Sequence, residues 1–497
     1  MSDNPKQNRT FTDNTTKGIV VKEKAIQRNN DKENSFQDNT VQSTIYTKTE
    51  QKPIADILNE NNKEEQKSVG KPISSNTTIL KASLMLTNMC LGTSIFTFAK
   101  WTQSFGLVWI LVFCLLIAIV NYWSLMNCSI ASSRVEPDDY SEVTTKILGK
   151  VAKLILNIFI IVYSYACLIT FFVLIYALFG RFIQSVGYQN KYNTYDDFYD
   201  DKWGKAVIKY PFTFGIAIIL SFISLIKDIN KLSFTSYIGV VAVIYSLFVV
   251  MIECNKYYKH YKNNIYNKND KSTKVNWVNL GKAFTKELNF FKGVACIIGA
   301  YCCHTGVFPV FAGFKHQEKG IRKMKFSVIT SMIITTVLHF LSMICSYLTD
   351  PITPEDVIIY RKKIGKGKDV PMTIAKLFIT LSLIFTLPPY FFGLRLSVAN
   401  AFTKGKIPRL FNYIFTFASL IVCAFISAVY DKILNYLSYI GGFISVFICY
   451  LFPALLVIKS SGKPFTYWKN IFNLVLAIFL CAIGVIAGIR TIIDDVS

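Results

Sequence analysis

Charge is scarce in this sequence, and scarcest where a soluble protein would need it. Asp, Glu, Lys and Arg make up 17% of 497 residues, against 52% hydrophobic residues. Mean hydropathy is +0.36. A soluble chain of this length divides into several domains with charged surfaces, and that reading is excluded. The twelve cysteines include no C-x-x-C or zinc-type spacing, so no zinc module or thioredoxin-like motif is encoded. Neither of two longer loops, 181–206 and 350–371, contains a cysteine. No disulfide staples them, and the cysteines read as small apolar packing residues. The sequence also lacks a set of catalytic dyads, a phosphate-binding glycine loop and a repeated filter motif, which argues against a membrane enzyme or channel.

What remains is apolar. Eleven runs lie near 79–105, 106–127, 153–180, 207–226, 233–252, 289–314, 325–349, 373–394, 409–430, 434–458 and 468–489. Each is about the length a helix needs to cross about 30 Å of hydrocarbon. A backbone in lipid must satisfy its own hydrogen bonds, and the runs lack the alternation of a barrel strand. The expected class is an all-α polytopic membrane protein. The net charge of +23 is spread over loops, as for a surface facing anionic lipid headgroups. The bilayer is therefore an expected partner and nucleic acid is not; the sequence names no protein partner.

Residues 1–78 are rich in Asn, Lys, Gln, Thr and Glu, without apolar periodicity, and read as a disordered tail. They carry no signal-peptide pattern, so the first span is expected to serve as the targeting signal. Residues 79–489 form the transmembrane domain and 490–497 a short tail. Lys and Arg are nearly balanced between alternate loops: Lys315, Lys319, Arg322, Lys323 and Lys325 on one side against Arg361, Lys362, Lys363, Lys366 and Lys368 on the other. The positive-inside rule leans only slightly towards a cytosolic amino terminus.

Two spans are built against their own helices. The first holds Asn88, Gly92, Thr93 and Ser94 at its centre and Lys100 near its end; the sixth holds Cys302, Cys303, His304, Thr305 and Gly306, then Pro309. Glycine costs a helix interior about 1 kcal/mol and proline about 3 kcal/mol relative to alanine. In lipid, freed backbone groups are tolerated only where they face protein or a watery cavity. Interruptions five spans apart are what an inverted repeat of five helices plus five produces, with substrate held where the broken helices meet. Small residues also serve close helix packing, and that reading stands beside the binding one.

These residues resemble the amino acid/auxin permease family, of the amino acid–polyamine–organocation superfamily. Its first span reads N-x-x-x-G-x-G-I-L-x-L-P. Here Asn88, Gly92 and Ile95 match, as does the later Gly106. Ser94 replaces the second glycine, Phe96 and Phe98 the leucines, and Ala99 the proline; Lys100 stands where an aromatic is usual. The family's sixth-span pattern A-Y-x-C-H-x-x-V-F-P is met by Ala300, Tyr301, Cys303, His304, Val307, Phe308 and Pro309. The stretches Ser224 to Val243 and Leu387 to Arg395 are similar as well, the latter with Gly393 in place of a proline. The resemblance covers about 79 to 489. It implies a LeuT-like 5+5 fold of about eleven helices with helices 1 and 6 interrupted, a cytosolic amino terminus, and amino acid transport by alternating access. The gradient is that of a proton or sodium, with no other cofactor. It also implies a multi-pass protein of the plasma membrane or an acidic organelle. An amino acid sensor that signals through residues 1–78 is the alternative.

On this reading Gly92, Thr93 and Ser94 present backbone N–H groups to a substrate carboxylate. Asn88 borders the site, and Cys302, Cys303, Thr305 and Gly306 close its other side with carbonyls facing the amino group. Tyr165 is expected either to reach the substrate or to make a helix-packing hydrogen bond. Asn88, Ser382 and Thr386 are the candidates for a sodium site, and His304 for a proton relay or a structural hydrogen bond. A metal reading of Cys302-Cys303-His304 fails for want of a second pair of ligands. Lys100 is expected to snorkel to the interface, the sharper alternative being selection of acidic substrates. His339 is expected to be a satisfied packing residue.

Overall fold

The computed structural model describes residues 77–91, 93–135, 139–188, 209–225, 229–264, 289–315, 317–351, 354–361, 363–364, 368–402, 408–430 and 432–496. The expected tail, up to residue 76, and Gly92 lie outside them. Every regular element among the described residues is helical. The first apolar run is split into α1 (Ile79–Cys90) and α2 (Phe98–Phe105), with a 3-10 turn over Thr93–Phe96 between them. There follow α3 (Leu107–Ser132), a short α4 (Tyr140–Leu148), α5 (Lys150–Ile183), α6 (Thr213–Ser224) and α7 (Ile229–Asn264). The sixth run is split into α8 (Asn289–Ala300) and α9 (His304–Lys315). Then come α10 (Gly320–Thr349), α11 (Val370–Phe402) and α12 (Arg409–Val429). The tenth run is α13 (Ile433–Tyr439), π-helical turns over Ile440–Ser445 and Phe447–Leu451, and α14 (Phe452–Ser460). α15 (Trp468–Val496) ends the bundle. Among the described residues nine helices are long and apolar enough to cross a membrane, and the shorter apolar helices Ile79–Cys90 and Lys209–Ser224 accompany them.

The outside of the bundle is apolar. Ile119, Phe222, Val241, Ile252, Ile333, Phe425 and Phe479 are each more than half exposed, as suits helices solvated by acyl chains. The inside mixes large apolar residues with small polar ones. Without a hydrophobic force between helices in lipid, close approach and hydrogen bonds hold them together. α10 shows this along its length. Ser83 of α1 donates to the Ser327 carbonyl at 3.2 Å, Ser327 donates to the Ile79 carbonyl at 3.3 Å, and the Thr87 and Ser331 hydroxyls lie 3.1 Å apart. Further along, Ser342 donates to the Ile95 carbonyl inside the first break. The first span is thus bonded to α10 along α1 and within its interruption.

The interruptions lie where the sequence places them. Gly106 turns the chain from α2 to α3 at φ 83°, a left-handed conformation that a Cβ disfavours. Two features were not legible from hydropathy. α4 falls in an expected loop; its start is capped by Asp139, which accepts from the Ser141 and Glu142 N–H groups at 3.0 and 3.3 Å. Burial pushes the Asp139 carboxyl above the usual carboxylate range, and these two N–H groups pull it back. Tyr140 then stacks on Phe308 at 4.3 Å and donates to the Ile448 carbonyl at 2.8 Å. The second feature is the π-helical stretch of the tenth run. There Gly441 passes so close to α8 that a Cβ would overlap the Ala295 carbonyl.

Of the loop charges counted for orientation, Arg361 is not a free surface charge. It is 6% exposed, pairs with Glu253 of α7 and Asp369, and lies 4.1 Å over the Tyr257 ring. Burial pushes its guanidinium down to about 10, and Asp369 opposes that shift. The pairing ties the end of α7 to the start of α11.

Gly441→Ala is expected to destabilise the purified protein by about 1–3 kcal/mol through overpacking. Gly393→Ala, on α11 with nothing within 4 Å of a built Cβ, is expected to be neutral or stabilising by about 0.5–1 kcal/mol. Thermal unfolding in detergent compares the two; equal melting shifts would contradict the close contact.

Candidate functional site

The two interruptions face each other. At the first, the Thr97 hydroxyl and amide both turn back to the Ser94 carbonyl, at 2.8 and 3.0 Å. At the second, the amides of Tyr301 and Cys302 reach back three residues to Ile298 and Gly299, tightening the last turn of α8. The Tyr301 carbonyl, freed by the break, accepts from Asn121 of α3 at 2.9 Å and from the Cys90 thiol of α1 at 3.7 Å. A break in lipid must be satisfied by protein, and here a fully buried asparagine and the end of α1 do it.

Beside the two breaks lies a cavity of about 50 Å³. It is lined by Met89, Cys90 and Ser94 of the first span and by Cys296 and Gly299 of α8. Tyr163, Cys167, Thr170 and Phe171 of α5, Tyr390 of α11, and Leu437 and Ile440 of the tenth run complete it. Among the described residues no charged side chain lines it. At about 10–15 Å³ per enclosed water, it has room for only a few. Its polar groups are hydroxyls and thiols, and the helix ends supply the remaining electrostatics. Aromatic packing sets one wall, Tyr390 meeting Phe171 edge-on at 5.1 Å.

A second constellation lies where α1, α7 and α11 meet. A Cβ built on Gly239 of α7 would stand 3.1 Å from Asn88 Oδ1, 3.1 Å from Ser382 Oγ and 3.9 Å from Thr386 Oγ1. Thr386 donates to the Ser382 carbonyl at 2.7 Å, which leaves its oxygen free to accept. Three oxygens from two elements therefore surround one small gap, which exists because residue 239 has no side chain.

A family model described as transmembrane amino acid transporter protein matches residues 75–494. The chain belongs to this family. It is an integral, multi-pass membrane protein of the amino acid transporter class. It is similar to sodium-coupled neutral amino acid symporter 2 of Danio rerio, at 24% identity over 167 residues. That match spans 33% of this chain and 32% of the relative, so the chain covers about a third of the length of the curated relative it matches.

Against this family frame, the expected site residues separate into groups. Ser94 lines the cavity. Gly92 lies outside the described residues, and of Thr93 only the backbone is described. Asn88, Ser382 and Thr386 come together about Gly239. Tyr165 makes the packing bond: its hydroxyl is 2.8 Å from Ser419 of α12. Tyr163, one face round the same helix, lines the cavity instead. Residues two apart on a helix point in nearly opposite directions, and hydropathy could not choose between them.

Cys302, Cys303, Thr305 and Gly306 are not among the lining residues. The Cys302 sulfur lies 3.2 Å from that of Cys449 on the tenth run, and the Cys303 carbonyl is taken by the Gly306 amide. A Cβ on Gly306 would overlap the Met89 thioether, so this glycine serves the close approach of α9 to α1. The cavity reaches α8 one turn earlier, at Cys296 and Gly299. His304 Nε2 is 3.1 Å from the Ser124 hydroxyl, which donates to the Cys449 carbonyl. Nε2–H is then the donor, and the structural hydrogen bond is the one present. Lys100 is half exposed and 3.8 Å from Asp356, away from the cavity; a pair this exposed adds little stability. His339 is packed but not satisfied, since neither ring nitrogen has a hydrogen-bond partner among the described residues.

Gly306→Ala is expected to push the Met89 side chain into the cavity. Substrate affinity should fall by about tenfold, equivalent to about 1.4 kcal/mol. Met89→Ala in the same chain should recover most of the loss. Binding calorimetry on the two variants checks this; no recovery would place the fault in α9 itself.

Proposed function

We propose that the protein is a secondary active transporter that carries neutral amino acids by alternating access, driven by a sodium gradient. The observation that carries the reading is the uncharged cavity set beside two broken helices within a single bundle. An amino acid is a zwitterion. A site without charged side chains binds it through backbone groups and helix ends, and leaves nothing to pair with a charged substrate side chain. In this proposal the N–H groups around Gly92, Thr93 and Ser94 receive the carboxylate. The α8 end near Gly299 receives the amino group, and the Tyr163 hydroxyl fixes orientation. Counted with the split first span and with α6, the candidate crossings among the described residues number eleven, in keeping with a 5+5 inverted repeat.

Sodium is preferred over the proton as the driving ion because of the oxygens around Gly239. Asn88, Ser382 and Thr386 offer hard, neutral ligands of the kind such ions take. They join the first span, which borders the substrate cavity, to α11. The relative named as a sodium-coupled neutral amino acid symporter supports the same choice. An ion bound there would link the occupied cavity to closure of α1 against α11.

The test is uptake of a labelled mixture of neutral amino acids into proteoliposomes holding the purified protein. Accumulation under an inward sodium gradient, lost on adding a sodium ionophore, is expected. Accumulation under a proton gradient without sodium would move the coupling elsewhere, and no accumulation under either ion would overturn the reading. In the same assay Gly239→Ala, whose methyl group occupies the gap, should raise the sodium concentration for half-maximal uptake by about tenfold or more, equivalent to about 1.4 kcal/mol. An unchanged sodium dependence would take the ion away from these residues.

A further inference from the structure

The face of α10 turned into the bundle carries Ser327, Ser331, Thr335, His339, Ser342 and Ser346, all fully buried. Ser327, Ser331 and Ser342 are engaged with the first span, as described above. The others are different. Thr335 Oγ1, both ring nitrogens of His339 and Ser346 Oγ have no hydrogen-bond partner among the described residues. They lie along one side of the helix at spacings of four and seven.

His339 occupies a particular place in that row. Its ring meets Phe98 edge-on at 5.0 Å and Tyr301 edge-on at 4.9 Å. Phe98 is the first residue of α2 and Tyr301 the first residue beyond α8. The imidazole is therefore wedged between the two broken helices at their interruptions. An apolar residue of similar shape would pack there without a buried, unfulfilled donor and acceptor, each of which is costly. An ionisable side chain inside a membrane bundle marks function more often than packing.

The elements packed against α10, on which the His339 ring sits, carry titratable groups of their own. Tyr301 touches it, and the Tyr301 hydroxyl is held by Thr336 at 2.9 Å and Cys114 of α3 at 3.1 Å. α1 offers Cys90, and Lys81 at its start. α2 offers Lys100, beside Asp356. α3 adds Tyr122 and Cys128. α9 offers His304, bonded to Ser124, and Lys315 at its end. α7 carries Tyr245, and in its last three turns Glu253, Cys254, Tyr257 and several lysines, with Glu253 paired to Arg361. α10 itself has Arg322, Lys323 and Lys325 in its first turns and Cys345 and Tyr347 in its last. The ionised groups sit towards helix ends, and the ring's own contacts are aromatic. Among the described residues a charge on His339 has no counter-charge in contact with the ring.

We propose that His339 is a proton-binding site which senses whether the two broken helices are closed on each other. It is neutral in the arrangement seen here and takes a proton when Phe98 and Tyr301 withdraw and water reaches the row from Thr335 to Ser346. The sign follows. Closure requires the neutral ring, so closure is fully available above the ordinary histidine range, near about 6.5. As pH falls below that range the open form gains, by up to about tenfold per pH unit. Because transport needs closure, and taking the transport reading above as the basis, acid should slow uptake.

The experiment compares initial uptake rates in proteoliposomes at pH 7.5 and 5.5. The wild-type rate should fall about fivefold or more, within the tenfold-per-unit bound. In His339→Gln the ratio of the two rates should approach one, whatever the absolute rate. A ratio unchanged in His339→Gln, or one flattened only by His304→Gln, would overturn the proposal. A second measurement does not depend on transport. In the purified full-length wild-type protein labelled at its four histidines, the ring signal of His339 is assigned by elimination with His260→Gln, His304→Gln and His316→Gln. Titration of that ring above pH 5 supports the site even if no uptake is seen under any ion, an outcome that would instead remove the transport reading. A ring that stays neutral down to pH 5 removes the site.

Discussion

The carbonyl oxygen of Tyr301 is the point about which the bundle is organised. The end of α8 frees it in a place where water is not the natural partner, and an unpaired buried carbonyl costs about 1–3 kcal/mol. Asn121 and Cys90 both donate to it, and the same residue's ring reaches Thr336, Cys114 and His339. One residue thus joins α1, α3, α8 and α10. A buried asparagine in the middle of the apolar α3 looks expensive in isolation. It is explained once the break it serves is known. The interruption and the asparagine are one device, and neither is stable alone.

Two kinds of chemistry meet at the cavity. On one side the first span and α10 are linked by directional hydrogen bonds from Ser83, Thr87, Ser327 and Ser342. On the other, α5, α11 and the tenth run present Phe171, Tyr390, Leu437 and Ile440, held by aromatic and apolar contact. Directional bonds break at a cost and re-form in one register. Apolar contacts are non-directional and close-range, so surfaces can part along them with less penalty in lipid than in water. The cavity therefore lies between a hydrogen-bonded side and an apolar one, and the transport proposed above would open it along the apolar side.

The sequence announced the class of molecule and both broken helices, because hydrophobic length and helix-weakening residues act locally. The apolar runs turned up as helices, with α11 continuing through Pro388 and Pro389 and on past the end of its run to Phe402. Other features depend on what lies opposite. Whether Tyr163 or Tyr165 faces the cavity is decided by α12, whose Ser419 captures Tyr165. Whether Gly306 binds or packs is decided by Met89. The π-helical turns after Tyr439 leave no hydropathy signature. The cap of α4 did leave one, Asp139 followed three residues on by Glu142, a recognised start signal for a helix that a reading focused on apolar length passes over. Ser382 and Thr386 were placed with Asn88 from the resemblance, but the gap that gathers them belongs to Gly239.

The electrostatics of the proposed site follow from its lack of charge. A zwitterion entering an uncharged cavity leaves its own hydration behind, and dipoles at helix ends recover only part of that. A cation bound between Asn88, Ser382 and Thr386, as proposed, would sit on the span that borders the cavity and favour the substrate carboxylate in a low-dielectric interior. The same low dielectric penalises a positive charge on His339, which has no carboxylate beside it. One positive charge is then welcome near the substrate and another is excluded a few turns away along α10. In both proposals the cavity and the surroundings of the His339 ring hold no charged side chain among the described contacts, so each mobile ion or proton would count heavily towards which arrangement of helices is stable.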